Sequence, residues 1–370
     1  MHSRAPVRSP WHRARPVGLR RSRVDAFRVF AMLVIIVGHS EMLIGVSRVD
    51  HIQAWQLALN LVGRAAVPLF LLLAGEHLGP RLARDRAPGA ARSYARHLAV
   101  LYAAAWLFYW ITDLAKLVRS RGLGPGLAVF IEHQAADPIA LLMHGPRQHL
   151  WFLVVLMAVV VAAGVALPRM RVRWFVLGTA ALYGIGLAVG PYAPALDPAS
   201  RSWWVQLVLQ APLFFAIGLV FGLDRKGRWR PSMGFALIGV GLLVHALEVR
   251  VIGETFGTSP FYLAMLIGTV LYATGVAMLA LTPGASRFER WVGRLALYVP
   301  IVYLSHVFFI EILRPRRGQF PEAVIRVVLP ILAAVLSFAS AAIVARLLTR
   351  ARRGRRRGPV APLPSTLAAP

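Results

Sequence analysis

Apolar residues in this chain are gathered into long blocks, and short polar or arginine-containing stretches separate the blocks. Each block has about twenty residues, the length that a helix needs to cross roughly 30 Å of hydrocarbon. A large soluble helical protein would need shorter, amphipathic helices. The pattern therefore predicts an all-α, polytopic bundle of about ten transmembrane helices. The blocks lie roughly at residues 26–46, 57–76, 98–118, 150–168, 174–191, 203–222, 233–252, 261–282, 294–313 and 324–348.

Composition and charge support a membrane location. Hydrophobic residues make up 58% of the 370 positions, which exceeds the usual share of about 45–50% in soluble domains. The net charge of +27 could suggest nucleic acid. The arginines, however, cluster in the two tails and in alternate loops, where the positive-inside rule places them. We therefore expect anionic membrane lipids as partners and no nucleic acid. The absence of cysteine excludes disulfides and thiolate chemistry.

The distribution of arginine also predicts the topology. An even number of spans puts both termini on one side, and the basic tails identify that side as the cytoplasm. Four predicted inner loops are arginine-rich. One predicted outer loop, at residues 314–317, is also arginine-rich and does not follow the rule. We predict a disordered basic tail over residues 1–23, a membrane domain over 24–348 and a disordered Pro- and Arg-rich tail over 349–370. The expected location is the cell (plasma or inner) membrane.

The outer segment 119–149 is long and contains an apolar stretch that charged residues and a proline interrupt. This stretch is too polar to span the hydrocarbon region. A helix that lies in the interface, or that re-enters the membrane over the outer mouth of the bundle, is the expected structure.

The first predicted helix carries aligned polar residues in the sequence VDAFRVFAMLVIIVGHSE. Arg28 and His39 are eleven residues apart, so they share one helical face and lie about 16 Å apart along the axis. Asp25 lies one turn before Arg28, close enough to pair with it. Ser40 and Glu41 stand beside His39, which favours a functional histidine over one that only packs. For Asp25 and Arg28, positive-inside anchoring with a local ion pair is an equal alternative.

Two further motifs lie at predicted membrane surfaces. Arg81 and Arg84 form an RxxR pair at the inner surface. Their planar guanidinium groups suit the phosphates of an anionic cofactor, although the spacing alone is typical of ordinary inner-loop charge. His149 and Trp151 mark the outer entrance of the fourth span, where a tryptophan by itself is typical of the interfacial belt.

Later helices carry additional polar groups. Tyr303 and His306 lie one turn apart on the ninth helix, and His306 has nearly the same predicted depth as His39. Matched depth suggests a shared polar cavity. Two histidines could also bind a metal, but no third ligand stands at a suitable spacing, so we predict no metal site. For His245 and Glu248 on the seventh helix we expect a packing role.

These physical features alone suit a proton-coupled transporter or flippase as well as an enzyme. The ordered motifs, however, resemble the acyltransferase 3 family of membrane proteins over residues 24 to about 345. The motifs that carry the resemblance are VDAFRVFAMLVIIVGH (Arg28, His39), VPLFLLLAG followed by RxxR (Arg81, Arg84), HLWFLVVL (residues 149–156) and IVYLSH (Tyr303, His306).

The resemblance implies that an acyl group, commonly acetyl and sometimes succinyl, moves from cytoplasmic acyl-CoA to a hydroxyl of a cell-surface or lipid-linked glycan. Acyl transfer from a thioester needs a base and stabilisation of an oxyanion. A histidine, with an ordinary pKa of about 6.5, suits the role of base. Whether this histidine acts as a base or is itself acylated stays open at this point.

By motif match, His39 would be the catalytic histidine and Arg28 its companion. The chain departs from the family pattern at Ala74 and Glu76, where the family usually has FxxSG followed by an aromatic residue. The donor-site details that depend on the usual serine therefore do not carry over. The remaining expected roles are donor binding for Arg81 and Arg84, acceptor contact for His149 and Trp151, and support for Asp25, Glu41, Tyr303 and His306.

Overall fold

A computed structural model describes residues 18–44, 54–83, 87–196, 203–224, 229–258, 263, 265–315 and 319–356. Within these ranges every regular element is a helix and no strand is present, which confirms the predicted all-α class. In chain order the α-helices are α1 (Gly18–Ile44), α2 (Ala54–Gly63), α3 (Ala66–Leu82), α4 (Ala87–Arg121), α5 (Leu123–Ala135), α6 (Pro138–His144), α7 (Trp151–Ala166), α8 (Val172–Val189), α9 (Ala193–Leu196), α10 (Trp203–Leu223), α11 (Pro231–Phe256), α12 (Ile267–Leu281), α13 (Arg287–Gly293), α14 (Val299–Leu313) and α15 (Glu322–Arg356).

A helix covers most of each of the ten predicted spans. Across the described residues, eight helical stretches are long and apolar enough to cross a membrane. Two predicted spans are not among these eight stretches. The first of them corresponds to α1, and the other, the eighth span, corresponds to α12, which is apolar but has only 15 residues. The count of ten and the cytoplasmic termini therefore remain predictions. The eight stretches are Leu59–Leu82, Pro88–Arg121, Gln148–Ala166, Val172–Val189, Val205–Leu223, Pro231–Phe256, Arg287–Leu313 and Val324–Arg350.

A side chain of α11 caps the start of α12. The apolar pattern predicts a span over residues 261–282, but the helix begins at Ile267. The carboxylate of Glu248 on α11 accepts hydrogen bonds from the backbone N–H groups of Ile267 (3.1 Å) and Gly268 (2.8 Å). A side chain from a neighbouring helix thus satisfies donors that a helix start leaves without intrahelical partners. The hydroxyl of Tyr192 donates to the same carboxylate, and burial together with this bond raises the pKa of Tyr192.

Glycines bring α3 and α10 into close contact. Gly75 and Gly79 on α3 lie against the backbone of α10, and Gly218 and Gly222 on α10 lie against the backbone of α3, so each helix presents a pair of glycines four residues apart to the other. A Cβ atom at Gly75 would overlap with the carbonyl oxygen of Phe215. Small residues at this spacing allow helix backbones to approach closely inside membranes. The two helices therefore form a tightly packed seam, and Arg81, which is predicted to bind the donor, lies in the last turn of α3.

The described residues form two compact units. One unit extends to Ala296 and contains α1 to α13; the other begins at Leu297 and consists of α14 packed against α15. Because α1 begins at Gly18 and α15 ends at Arg356, both helices continue beyond the predicted domain limits at residues 24 and 348. Most of the two predicted tails, at residues 1–17 and 357–370, lies outside the described residues.

The long segment predicted to lie over the outer mouth is largely helical. It consists of the end of α4, then α5 and α6. Leu123, Leu127 and Ile131 of α5 are all exposed and follow one another at a spacing of four residues, so they form one apolar stripe. A stripe of this kind is typical of helices that contact lipid at an interface. The helical character is confirmed, and the position at the membrane surface remains a prediction.

Candidate functional site

The helix α1 carries the two central residues of the predicted site on one continuous element of 27 residues. Continuous helical geometry places Arg28 and His39 about 16 Å apart along the axis. Nη1 of Arg28 donates to Oδ1 of Asp25 at 3.2 Å, which confirms the predicted local pair. We refer to the two parts of α1 as the Arg28 end and the His39 end.

The Arg28 end of α1 is tied to α13. Arg23 donates from Nε and Nη2 to the two carboxylate oxygens of Glu289, at 2.8 and 3.2 Å. Glu289 also accepts from the backbone N–H of Ser286, so a single carboxylate caps α13 and binds α1. The rings of Phe30 and Phe288 lie 6.1 Å apart and add an apolar contact between the same two helices. Charge pairs and ring packing thus fix this end of α1.

Three rings meet at the His39 end of α1. The ring centroids of His39 and His149 are 6.1 Å apart with an interplanar angle of 67°, and Tyr109 of α4 lies 5.6 Å from His149. His149 and Tyr109 are buried, whereas His39 is partly exposed. The structure therefore brings together the expected catalytic histidine and an expected acceptor-side histidine. No spacing in the sequence predicts this contact.

The backbone before α7 determines where His149 lies. Gly145 ends α6 with a φ of +64°, a conformation that favours glycine because it lacks a Cβ. The chain then extends through Arg147 and forms a 3-10 turn over Gln148–Leu150. The N–H of the fully buried Leu150 donates to the carbonyl of Arg147 at 3.0 Å. A fixed turn with a buried leucine at its end therefore directs His149 into the protein.

An ion pair that no sequence motif predicts lies beside these rings. Nη1 and Nη2 of Arg147 donate to the two carboxylate oxygens of Asp113, each at 2.7 Å. The guanidinium carbon of Arg147 also lies 5.0 Å from the ring centroid of Tyr109. Asp113 belongs to the third predicted span, where an ionisable residue is a signal of function by default. That signal could have identified it.

The remaining residues predicted in this unit are placed as follows. Arg81 is exposed in the last turn of α3, with Nη1 3.4 Å from Nε2 of His77. Trp151 is the first residue of α7, and its ring lies 6.1 Å from that of Phe152. Arg84 and the side chain of Glu41 lie outside the described residues.

In the second unit, Tyr303 and His306 lie one turn apart on α14 with ring centroids 6.0 Å apart. Nδ1 of His306 is 2.8 Å from the carbonyl oxygen of Tyr303, so the histidine can donate to its own helix. The cavity predicted to be shared by His306 and His39 remains a prediction, because the two histidines belong to different units.

Two other polar side chains of the first unit contact residues of α12 and of α2. Nδ1 of the buried His245 lies 3.0 Å from the hydroxyl of Thr269 on α12, close to the start that Glu248 caps. Arg64, which the sequence analysis did not single out, stands at the turn between α2 and α3 and donates from Nε to Asn60 at 3.1 Å. An arginine inside an apolar span is the signal that could have found it.

The chemistry available to the histidines at the His39 end is proton transfer. In the described part of the chain, no group of three or more His, Asp or Glu residues could hold a metal ion. An imidazole that is partly exposed, as His39 is, can exchange a proton with a bound hydroxyl. A second imidazole next to it can orient the first or contact the substrate.

Comparison with known proteins gives one match. A family model described as an acyltransferase domain matches residues 21–350, which is nearly the whole chain. No curated protein and no solved structure matches the chain. The matched range begins in α1 and ends in α15, so it includes both ends of α1 and the turn that carries His149.

Proposed function

The chain belongs to the acyltransferase 3 family, and from this membership we propose that it moves an acyl group from cytoplasmic acyl-CoA to a hydroxyl of a cell-surface or lipid-linked glycan. The protein is a membrane-embedded acyltransferase enzyme. Acetyl-CoA is the proposed donor, with succinyl-CoA as the alternative. The proposed location is the plasma or inner membrane, where anionic lipids would contact the arginine-rich tails and loops. The contact between His39 and His149 is the observation that supports this function most directly.

On the donor side, we assign the acyl-CoA phosphates to arginine. Arg81 is exposed at the end of α3, and Arg84 follows it in the sequence. Arg28, paired with Asp25, stands at the other end of α1 from His39. A separation of about 16 Å along α1 suits a donor whose phosphates stay near Arg28 while its thioester reaches His39.

At the His39 end, the proposed reaction is attack of the acceptor hydroxyl on the thioester carbonyl. His39 removes the hydroxyl proton as the new C–O bond forms. The tetrahedral intermediate then collapses, the C–S bond breaks, and the CoA sulfur leaves with the proton from His39. The alternative is that the His39 imidazole attacks the thioester carbonyl, the C–S bond breaks and CoA leaves with the imidazole proton. The acceptor hydroxyl then takes the acyl group from the imidazole and returns a proton to it. Both routes require an unprotonated His39 next to the carbonyl.

On the acceptor side, we assign contact with the glycan to His149 and Trp151. Aromatic rings commonly provide flat apolar faces with a polar edge. Tyr303, His306 and Glu41 have proposed supporting roles, and Asp25 is proposed to orient Arg28. Replacing His306 by Ala should therefore impair turnover less than replacing His39.

An assay of acetyl-CoA turnover tests this function. It uses radiolabelled acetyl-CoA, purified protein in lipid nanodiscs and isolated cell-envelope glycan as acceptor. We expect release of CoA and transfer of label to the glycan by the wild type, and loss of both in His39→Ala. The matched control is His97→Ala, since His97 is exposed on α4 and contacts only its own helix in the bonds described. A transporter would instead move a substrate without consuming acetyl-CoA, and that result in the wild type would overturn the proposal.

A further inference from the structure

Four side chains connect α4 to the turn that carries His149. Tyr109 and Asp113 are four residues apart on α4, so they lie on the same helical face. Arg147 and His149 come from the turn that precedes α7. We call these four residues the Asp113 clamp.

The ion pair of the clamp has the geometry of a strong, directional interaction. Both bonds measure 2.7 Å, and each guanidinium nitrogen faces its own carboxylate oxygen. The side chains of Arg147 and Asp113 are only 17% and 23% exposed. Paired donors and acceptors of this kind fix orientation as well as distance. Removal of Asp113 would leave the Arg147 charge shielded from water and without this counter-ion. Removal of Arg147 would leave Asp113 with the longer contact to Lys116, at 3.9 Å, in its place.

The exposed pair between Arg250 and Glu254 on α11 provides a contrast. Its side chains are 74% and 66% exposed, and it joins two residues on the same helix. Pairs of this kind contribute little because water screens them. The ion pair of the Asp113 clamp, in contrast, joins two residues that are 34 positions apart in the chain and belong to different elements.

Tyr109 links the ion pair to the histidines. The fully buried ring of Tyr109 lies 5.0 Å from the guanidinium of Arg147 and 5.6 Å from the ring of His149. A cation over an aromatic face is attractive, and more so where water is excluded. Since Arg147 is also only two residues from His149, the ion pair restrains His149 through the backbone and through the Tyr109 ring.

We propose that Asp113 and Arg147 are a positioning pair for acyl transfer, holding His149 beside His39. The inference rests on the proposed function, because it takes His39 as the group that reacts with the thioester. The pair acts through His149 and does not touch the reacting atoms. Its effect is on the acceptor-side geometry, where a displacement of about 1 Å can reduce turnover by about 100-fold.

The kinetic test uses radiolabelled acetyl-CoA with isolated cell-envelope glycan as acceptor, and follows the release of CoA by protein in nanodiscs. In Arg147→Ala and Asp113→Ala, kcat should fall by about 10- to 100-fold. The apparent KM for acetyl-CoA should stay unchanged, because the proposed phosphate contacts lie at the Arg28 end. The charge-swapped double variant Asp113→Arg, Arg147→Asp should recover part of kcat. Recovery should be incomplete because Lys116 lies 3.9 Å from Asp113 and would face the new arginine.

A second test needs no activity. The chain contains no cysteine, so cysteines placed at positions 39 and 149 are the only thiols available to a short bifunctional thiol cross-linker. Mass spectrometry of the joined peptides should show efficient linkage in this background. The yield should fall severalfold when Arg147→Ala is added and rise again in the charge-swapped background. The matched control is Arg250→Ala, which removes one partner of the exposed pair. It should leave the cross-linking yield unchanged in the double-cysteine background and kcat unchanged in the native background.

The two tests separate the possible failures. If the wild type consumes no acetyl-CoA, the proposed function fails, while the cross-linking yields still decide whether the pair positions His149. If Arg147→Ala lowers neither the yield nor kcat, the positioning role is overturned. Should Arg147→Ala or Asp113→Ala fail to fold, Arg147→Lys and Asp113→Asn replace them. These variants keep the size of the side chain but lose the two-bond geometry, and full kcat with full cross-linking in both would also overturn the proposal.

Discussion

The two ends of α1 are held in different ways. At the Arg28 end, ion pairs act together with the packing of Phe30 on Phe288: Arg28 binds Asp25 on the same helix, and Arg23 binds Glu289 on α13. At the His39 end, the contacts are between rings, and His149 comes from a turn more than a hundred positions later in the chain. Arg28 has its partner within its own helix, whereas the polar ring of His39, on an apolar helix, meets a ring from another element.

This difference matches the two tasks that we propose for α1. Paired charges suit the recognition of donor phosphates, which are charged and stay near water. Partly buried rings suit a reaction that needs a neutral base and an environment with little water. Four predictions test whether the two ends differ in this way.

The largest effect concerns topology, because the outcome is all or none. Reporter fusions at residues 90, 195 and 365 should read inside, outside and inside, since the positive-inside rule assigns the arginine-rich loops and tails to the cytoplasm. These readings would put the Arg28 end of α1 at the cytoplasm and the His39 end toward the outer face. An outside reading at residue 365 would contradict the even number of spans.

The next largest effect is expected at His39. Because positioned general-base catalysis contributes about 10² to 10⁴ in rate, His39→Gln should lose as much kcat as His39→Ala, although glutamine keeps much of the size and can still form a hydrogen bond. The measurement is acetyl-CoA turnover at matched membrane expression. Ser40→Ala is a local control, because the Ser40 hydroxyl donates only to the backbone of its own helix among the bonds described. Full activity in both His39 variants would refute the catalytic assignment.

A smaller effect is expected at the other end of the helix. A hydrogen bond to a charged group contributes about 1.5–3 kcal/mol, so Arg28→Ala should lower kcat/KM for acetyl-CoA by about 10- to 100-fold. Asp25→Asn should cost less, because it removes the partner but keeps the guanidinium. Steady-state kinetics over a range of acetyl-CoA concentrations measures both, with Arg92→Ala, an exposed arginine on α4, as the control. An effect of Asp25→Asn as large as that of Arg28→Ala would favour a structural ion pair over a donor contact.

The smallest effect is expected at the RxxR pair. Arg81 is exposed at the end of α3, so charge reversal there should leave folding intact. The double variant Arg81→Glu, Arg84→Glu should weaken the apparent affinity for acetyl-CoA by about tenfold, because surface charge contacts are screened by water and salt. The matched control is Arg92→Glu, Arg96→Glu, which reverses two exposed arginines on α4. Equal apparent affinity in the two double variants would return Arg81 and Arg84 to the role of topological anchors.

Much of the fold was predictable because hydrocarbon thickness imposes a length on each apolar block. A helix covers most of every predicted span, and the local pair of Asp25 and Arg28 follows from a spacing of three residues. The start of α12 was not predictable from its own residues. It depends on Glu248, a side chain on α11 that accepts from the N–H groups of α12.

The candidate site shows the same division. Sequence motifs identified His39 and His149 separately, but no local spacing connects them. No sequence motif marks Asp113, Tyr109 or Arg147. Their contacts form because α4 and the turn before α7 face each other. Gly145, with its φ of +64°, is the position where the chain turns toward that contact.

The sequence by itself determined the helical class, the approximate spans, the membrane location and the alignment of Arg28 with His39 on one helical face. All of these follow from periodicity and from the transfer of apolar and charged groups between water and lipid, which act on each segment separately. The tertiary structure alone decided that His149 and Tyr109 meet the His39 end of α1, that Arg147 pairs with Asp113, and that glycines join α3 to α10. These contacts depend on which helices become neighbours, and neighbours are selected by packing and by the need of buried polar groups for partners.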